Sequence, residues 1–121
     1  MELEWMKGEF TVCKLENPAQ VDWTEEVLFL GKTDRELSLV CRPQAAPVNC
    51  LAREDGWMAF RVAGALDFSL VGILAELASL MARAGIGIFA LSTYDTDYIL
   101  LKKENAQRAG ALLERAGHRF L

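Results

Sequence analysis

Within residues 91 to 101, LSTYDTDYILL, two apolar runs enclose Ser92, Thr93, Tyr94, Asp95 and Asp97. Hydroxyls and carboxylates in such density supply hydrogen-bond acceptors and negative charge, and Tyr94 adds an aromatic wall. The set suits a polar or cationic ligand tail. Upstream, GALDFSL brings Gly64, where a backbone can come close to a ligand, and Asp67, which can meet an ammonium group, just ahead of a helical pattern. The first turn of a helix offers backbone N–H groups and the positive end of a dipole, a seat for an α-carboxylate. Local chemistry accounts for the same residues in another way. Asp95 and Asp97 flank a turn, where Asp commonly bonds backbone groups, Asp67 is equally a helix cap, and Tyr94 is equally an exposed ring at a turn tip.

Catalysis is not expected. Ser92 has no histidine near it in sequence, no G-x-S-x-G elbow is present, and no glycine-rich loop leads into a helix in the manner of a phosphate site. Cys13, Cys41 and Cys50 are odd in number and lack C-x-x-C spacing, so they read as reduced, buried or half-buried thiols of a cytoplasmic protein rather than a zinc or redox centre. The single histidine, His118, reads as structural or exposed. No metal or cofactor is expected.

Composition narrows the partners. The 121 residues are 52% hydrophobic and 25% charged, which describes a folded chain able to bury a core. Seventeen acidic residues against thirteen basic ones, a formal charge of -4, exclude an extended basic surface for nucleic acid. The longest apolar run, GILAELASLMA, is too short to cross a bilayer and is broken by Glu76, and the acidic start MELEWMKGEF lacks the features of a secretory signal.

The elements that must position these groups follow from hydrophobic period. WMAFRVAG, residues 57 to 64, reads as a strand after the turn signal Asp55-Gly56. Leu70, Ile73, Leu74, Leu77, Leu80, Met81 and Ala84 then mark one face of a helix over about 69 to 84, capped by Ser69 or Asp67 and stopped at Gly85. Residues 86 to 93 and 97 to 103 form a hairpin through Tyr94, Asp95 and Thr96, a second helix spans about 104 to 116, and HRFL closes as a strand. The order βαββαβ predicts an α+β, ferredoxin-like sheet with both helices on one face. The first half shows strands at 10 to 15, 26 to 33 and 36 to 41 but no helix beyond a single turn around its prolines. Aligning LFLGKTDRELSLVCRP with IFALSTYDTDYILLKK sets Thr33 opposite Thr93, which suggests a duplicated unit whose first copy has lost most of its helices.

The stretch from Gly64 to Asn105, with FALSTYDTDYIL as its most specific part, resembles an ACT domain of the aspartokinase type. The first half resembles the degenerate leading unit of small stand-alone proteins of that branch. Ser92, Thr93, Tyr94 and Asp97 also resemble the S-T-aromatic-x-x-Asp pattern of cytosolic arginine sensors. The resemblance implies two ACT-like units in tandem, residues 1–56 degenerate and mostly β and residues 57–121 an ACT domain. It implies an allosteric, amino-acid-binding regulatory module, with the effector at an interface between units, in one chain or across a homodimer. The implied site comprises Gly64, Leu66, Asp67, Phe68, Ser69, Phe89, Ser92, Thr93, Tyr94 and Asp97, with Phe89, like Leu91, equally suited to packing. Arginine, lysine and threonine are the implied ligands, and a downstream protein must receive the signal. A homodimer is expected through the small residues Gly72, Ala75, Ala78, Ser79 and Ala82. The alternative is an oligomerisation or partner-binding scaffold without a ligand.

Overall fold

The computed structural model describes residues 1–64 and 72–121. In chain order these form β1 (Glu2–Trp5), β2 (Phe10–Leu15), β3 (Phe29–Lys32), β4 (Leu37–Cys41), β5 (Ala52–Val62), α1 (Ile73–Arg83), β6 (Ile88–Ser92), β7 (Asp97–Lys102), α2 (Ala106–Arg115) and β8 (Arg119–Phe120). The chain forms two compact units, Met1–Lys7 with Met58–Leu121, and Gly8–Trp57. This division differs from one at residue 56 in that the first seven residues group with the second half.

The reason lies in ELEW. Glu2, Leu3, Glu4 and Trp5 alternate polar and apolar, the period of a half-buried strand. β1 pairs antiparallel with β5, Leu3 opposite Val62 and Trp5 opposite Phe60, and parallel with β8, Leu3 opposite Phe120. β7 in turn pairs with β5 and β6. The last strand of the βαββαβ run therefore meets β1 rather than the first strand of that run, a departure from the simple ferredoxin-like order.

Both helices cover one face of this sheet. Leu77 and Met81 from α1 and Ala109 and Leu113 from α2 are fully buried against Leu3, Phe60, Ile99 and Leu101. Trp5 stacks on Phe120 at 5.0 Å and meets Phe60 edge-on at 5.4 Å. Burying each such side chain contributes roughly 1.5–3 kcal/mol. On the other face Arg61 donates from Nε to Glu4 at 2.6 Å and reaches the Tyr98 hydroxyl at 3.5 Å. The Glu4 bond raises the arginine's pKa further.

The helix ends follow the sequence where they are described. Gly85 donates to Ala82 and Ile86 to Met81, and Gly117 donates to Glu114 and His118 to Leu113, the same Schellman closure twice. α1 begins at Ile73 with Gly72 as its cap, and Ser69 and Asp67 lie outside the described residues. His118 is buried, with Nε2 3.3 Å from a carboxylate oxygen of Glu76 in the first turn of α1.

In the unit Gly8–Trp57 the strand order is β3, β4, β2 and the start of β5. Cys13, Leu15, Leu37, Leu39 and Cys41 form its core with Val21. Its connections hold only short 3-10 turns, Pro18–Gln20 under an Asn17 capping box and Pro43–Ala45. Asp55-Gly56 is not a strand boundary. Between the pairs Phe10 with Trp57 and Val12 with Glu54, β5 carries one residue more than β2, and Gly56 has φ 84°. A β-bulge and a turn make the same demand for positive φ, so one dipeptide signals both.

Candidate functional site

The hairpin of β6 and β7 is built as its pattern requires. Ala90 faces Ile99, Leu91 faces Tyr98, and Ser92 faces Asp97 at the last pair before the turn. The turn closes through Thr93 N–H to the Thr96 carbonyl at 2.9 Å, and the Thr93 hydroxyl donates to the same oxygen at 3.1 Å. Thr93 is thus engaged in turn chemistry. The Ser92 hydroxyl donates to Asp97 Oδ1 at 2.7 Å. Because a carboxylate has about four lone-pair positions and a donating hydroxyl still accepts, the Ser92–Asp97 pair presents acceptors and negative charge. Its chemistry suits an ammonium or guanidinium group.

Thr96 is the residue the sequence reading missed. Its side chain is buried, and its hydroxyl donates to the Val62 carbonyl at 2.8 Å. This bond fixes the turn beside the end of β5, two residues before Gly64. A threonine as the last residue of a polar turn, next to a run of strand residues, was the available signal. Gly64 has φ 79°, a backbone that favours glycine, and among the described residues nothing lies within 4 Å of a Cβ built there.

The structure therefore brings Gly64, Ser92, Thr93 and Asp97 to one end of this unit. Tyr94 projects from the turn with 80% of its surface exposed. Strand alternation places Phe89, opposite Leu100, on the other face of the hairpin from Ser92 and Asp97. Leu66, Asp67, Phe68 and Ser69 lie outside the described residues.

A concavity of about 460 Å³ lies along α2 and is lined by Trp5, Met58, Ala106, Gln107, Gly110, Ala111 and Glu114. Its size falls in the range of ligand pockets, yet it contains none of the expected site residues. Among the described residues no cluster of His, Cys, Asp or Glu is arranged to hold a metal, and no helix is long and apolar enough to cross a membrane.

A sheet flanked on one face by two helices, with acceptors gathered at a hairpin turn beside the end of β5, defines a small mixed α+β module. A family model for the ACT domain matches residues 52–115, and the chain belongs to the ACT-domain family. A crystal structure of an Agobacterium tumefaciens protein is similar at 31% identity with a TM-score of 0.87, over 99% of this chain and 91% of that one. A Vibrio cholerae protein described as of unknown function, possibly a transport protein, shares the fold at 22% identity and TM-score 0.77, over 92% and 85%. The regulatory subunit of aspartate kinase from Thermus thermophilus shares it at 12% identity and TM-score 0.66, over 95% and 96%. No protein of curated function is significantly similar.

Proposed function

We propose that this chain is an allosteric amino-acid sensor without catalytic activity, built from a degenerate ACT-like unit and a complete one. The observation that carries the reading is the Thr96 bond to Val62, which holds the turn carrying the Ser92–Asp97 acceptor pair beside the end of β5, two residues before Gly64. In this reading the α-carboxylate of the ligand lies at the N-terminal end of α1, and Leu66, Asp67, Phe68 and Ser69 are its proposed ligand residues. Asp97 and Ser92 take its cationic group, and Tyr94 covers it. A ligand with a cationic side chain, arginine or lysine, fits the acceptor pair better than threonine does. A second copy of the chain closes the crevice as a cytoplasmic homodimer, using α1, whose Ala75, Ser79 and Ala82 are exposed. Its product is a change of shape read by a downstream protein, with no cofactor, nucleic acid or membrane involved.

A thermal-shift screen against the twenty amino acids tests this. Free ligand at a hundred times its dissociation constant stabilises by about 2.7 kcal/mol, a rise of several degrees. A rise with arginine or lysine that Asp97→Ala abolishes is expected. Folded protein that responds to none of the twenty would favour the scaffold reading.

A further inference from the structure

Two residues that line the concavity along α2, Gly110 and Glu114, are ones that a helix chosen for stability alone would not carry. Gly110 stands in the middle of Ala106–Arg115, where glycine is less favourable than alanine. Packing does not demand it, because a Cβ built there would meet the Trp5 indole at 3.7 Å, an ordinary contact. Glycine at this position therefore keeps clear the space that a methyl group would fill. One turn on, Glu114 puts a carboxylate in the last turn of the helix, at the negative end of its dipole, where a basic residue is the favourable choice.

The polar groups along the concavity are unengaged. Among the described residues Glu114 forms no ion pair, and the Trp5 indole N–H, whose Nε1 lies 3.9 Å from the same Cβ position, bonds to no acceptor. Arg108, a basic residue of the same helix, is engaged elsewhere and donates from Nη1 to the Ala84 carbonyl at 2.7 Å. Stacking on Phe120 and the edge contact with Phe60 fix the Trp5 ring, so its N–H is held in place before any ligand arrives. Gln107 and Glu114 are about two turns apart, roughly 10 Å along the axis, so the concavity runs from a neutral amide to a carboxylate past Trp5 and Met58.

We propose that this concavity binds an elongated amphipathic cation, an arylalkylamine of about that length. Its ammonium group meets Glu114, its aromatic body packs against Met58, Gly110 and Ala111, and a hydroxyl accepts from the Trp5 indole N–H, with the Gln107 amide closing the far end. A free amino acid does not suit the site, because its α-carboxylate would stand beside the charge of Glu114. The site shares no residue with the Ser92–Asp97 pair and stands or falls independently of it.

The test titrates tyramine into the isotope-labelled full chain and follows the Trp5 indole N–H and the backbone amides of α2 by NMR. Both should shift and saturate at millimolar concentration or below, while hydroxyphenylpropionate, a similar ring with the opposite charge, leaves them unmoved. Glu114→Gln should weaken tyramine binding about two- to fivefold, the worth of an exposed ion pair. Gly110→Ala should raise the melting temperature, through helix propensity, and at the same time weaken binding. Equal shifts with hydroxyphenylpropionate, unchanged binding in either variant, a Gly110→Ala protein that melts no higher, shifts confined to residues 92 to 97, or no response to tyramine would each overturn the proposal.

Discussion

The turns at 33–36 and 93–96 close alike. In each, a threonine N–H donates to the carbonyl three residues on at 2.9 Å, and the threonine hydroxyl turns to that same oxygen. The strands they join pair in the same register sixty residues apart, Phe29 with Val40 as Phe89 with Leu100, and Lys32 with Leu37 as Ser92 with Asp97. Even the 3-10 turns that follow, Pro43–Ala45 and Lys103–Asn105, recur at that spacing. The side chains and the covering elements differ. The first hairpin has Lys32 and Leu37 where the second has its hydrogen-bonded Ser92 and Asp97, and an exposed Glu36 where the second has buried Thr96. Only the second is followed by a full helix. The same register thus carries a hydrogen-bonded hydroxyl and carboxylate at the end of one hairpin and Lys32 opposite Leu37 at the end of the other.

The largest effect that could break this comparison is in the cores. Ile99 and Leu39 occupy equivalent positions, one beneath two helices and the other beneath loops. Ile99→Ala should cost roughly 3–5 kcal/mol and Leu39→Ala about 2 kcal/mol, because a loop-covered site collapses more readily into the space left. Urea unfolding that gives equal or reversed losses would show that the helices add no rigidity.

The turns come next. Thr96→Val should destabilise by about 1–3 kcal/mol, since it leaves the Val62 carbonyl without its donor. Glu36→Val, at the equivalent exposed position, should stay within roughly 0.5 kcal/mol. Chemical denaturation of the pair compares them directly.

The smallest effect is one of pH. The folded pKa of Cys41 is about 12 against an ordinary 9.0, because burial disfavours the thiolate. Its contribution to stability is therefore complete below pH 9. Between pH 9 and 12 the unfolded chain ionises and the folded one does not, so stability falls as pH rises, by at most about 1.4 kcal/mol per pH unit from this thiol. Cys41→Ala should flatten that part of the curve, and an unchanged slope would assign it to other groups.

The second half was legible because its signals are local. Leu77, Met81 and Leu113 fall on helical faces, Gly85 and Gly117 stop them, and the turn at 93–96 sits between two apolar runs. β1 was missed because four residues of alternation are a weak signal beside an acidic start. The bulge at Gly56 was read as a turn because both ask for the same backbone. That Cys13 and Cys41 share one core, with Cys50 packed against it, depends on which strands pair, which spacing in sequence does not reveal. Of the site, Ser92 and Asp97 were readable as chemistry, while the anchoring role of Thr96 needed the fold.

The most direct test of the account is an NMR titration of labelled protein with arginine and lysine, following backbone amides. Shifts confined to Gly64, the start of α1 and residues 92 to 97, with the equivalent residues 32 to 37 unmoved, are the predicted result. Shifts centred on 32 to 37 or on the groove along α2, or no shifts with either ligand, would contradict it.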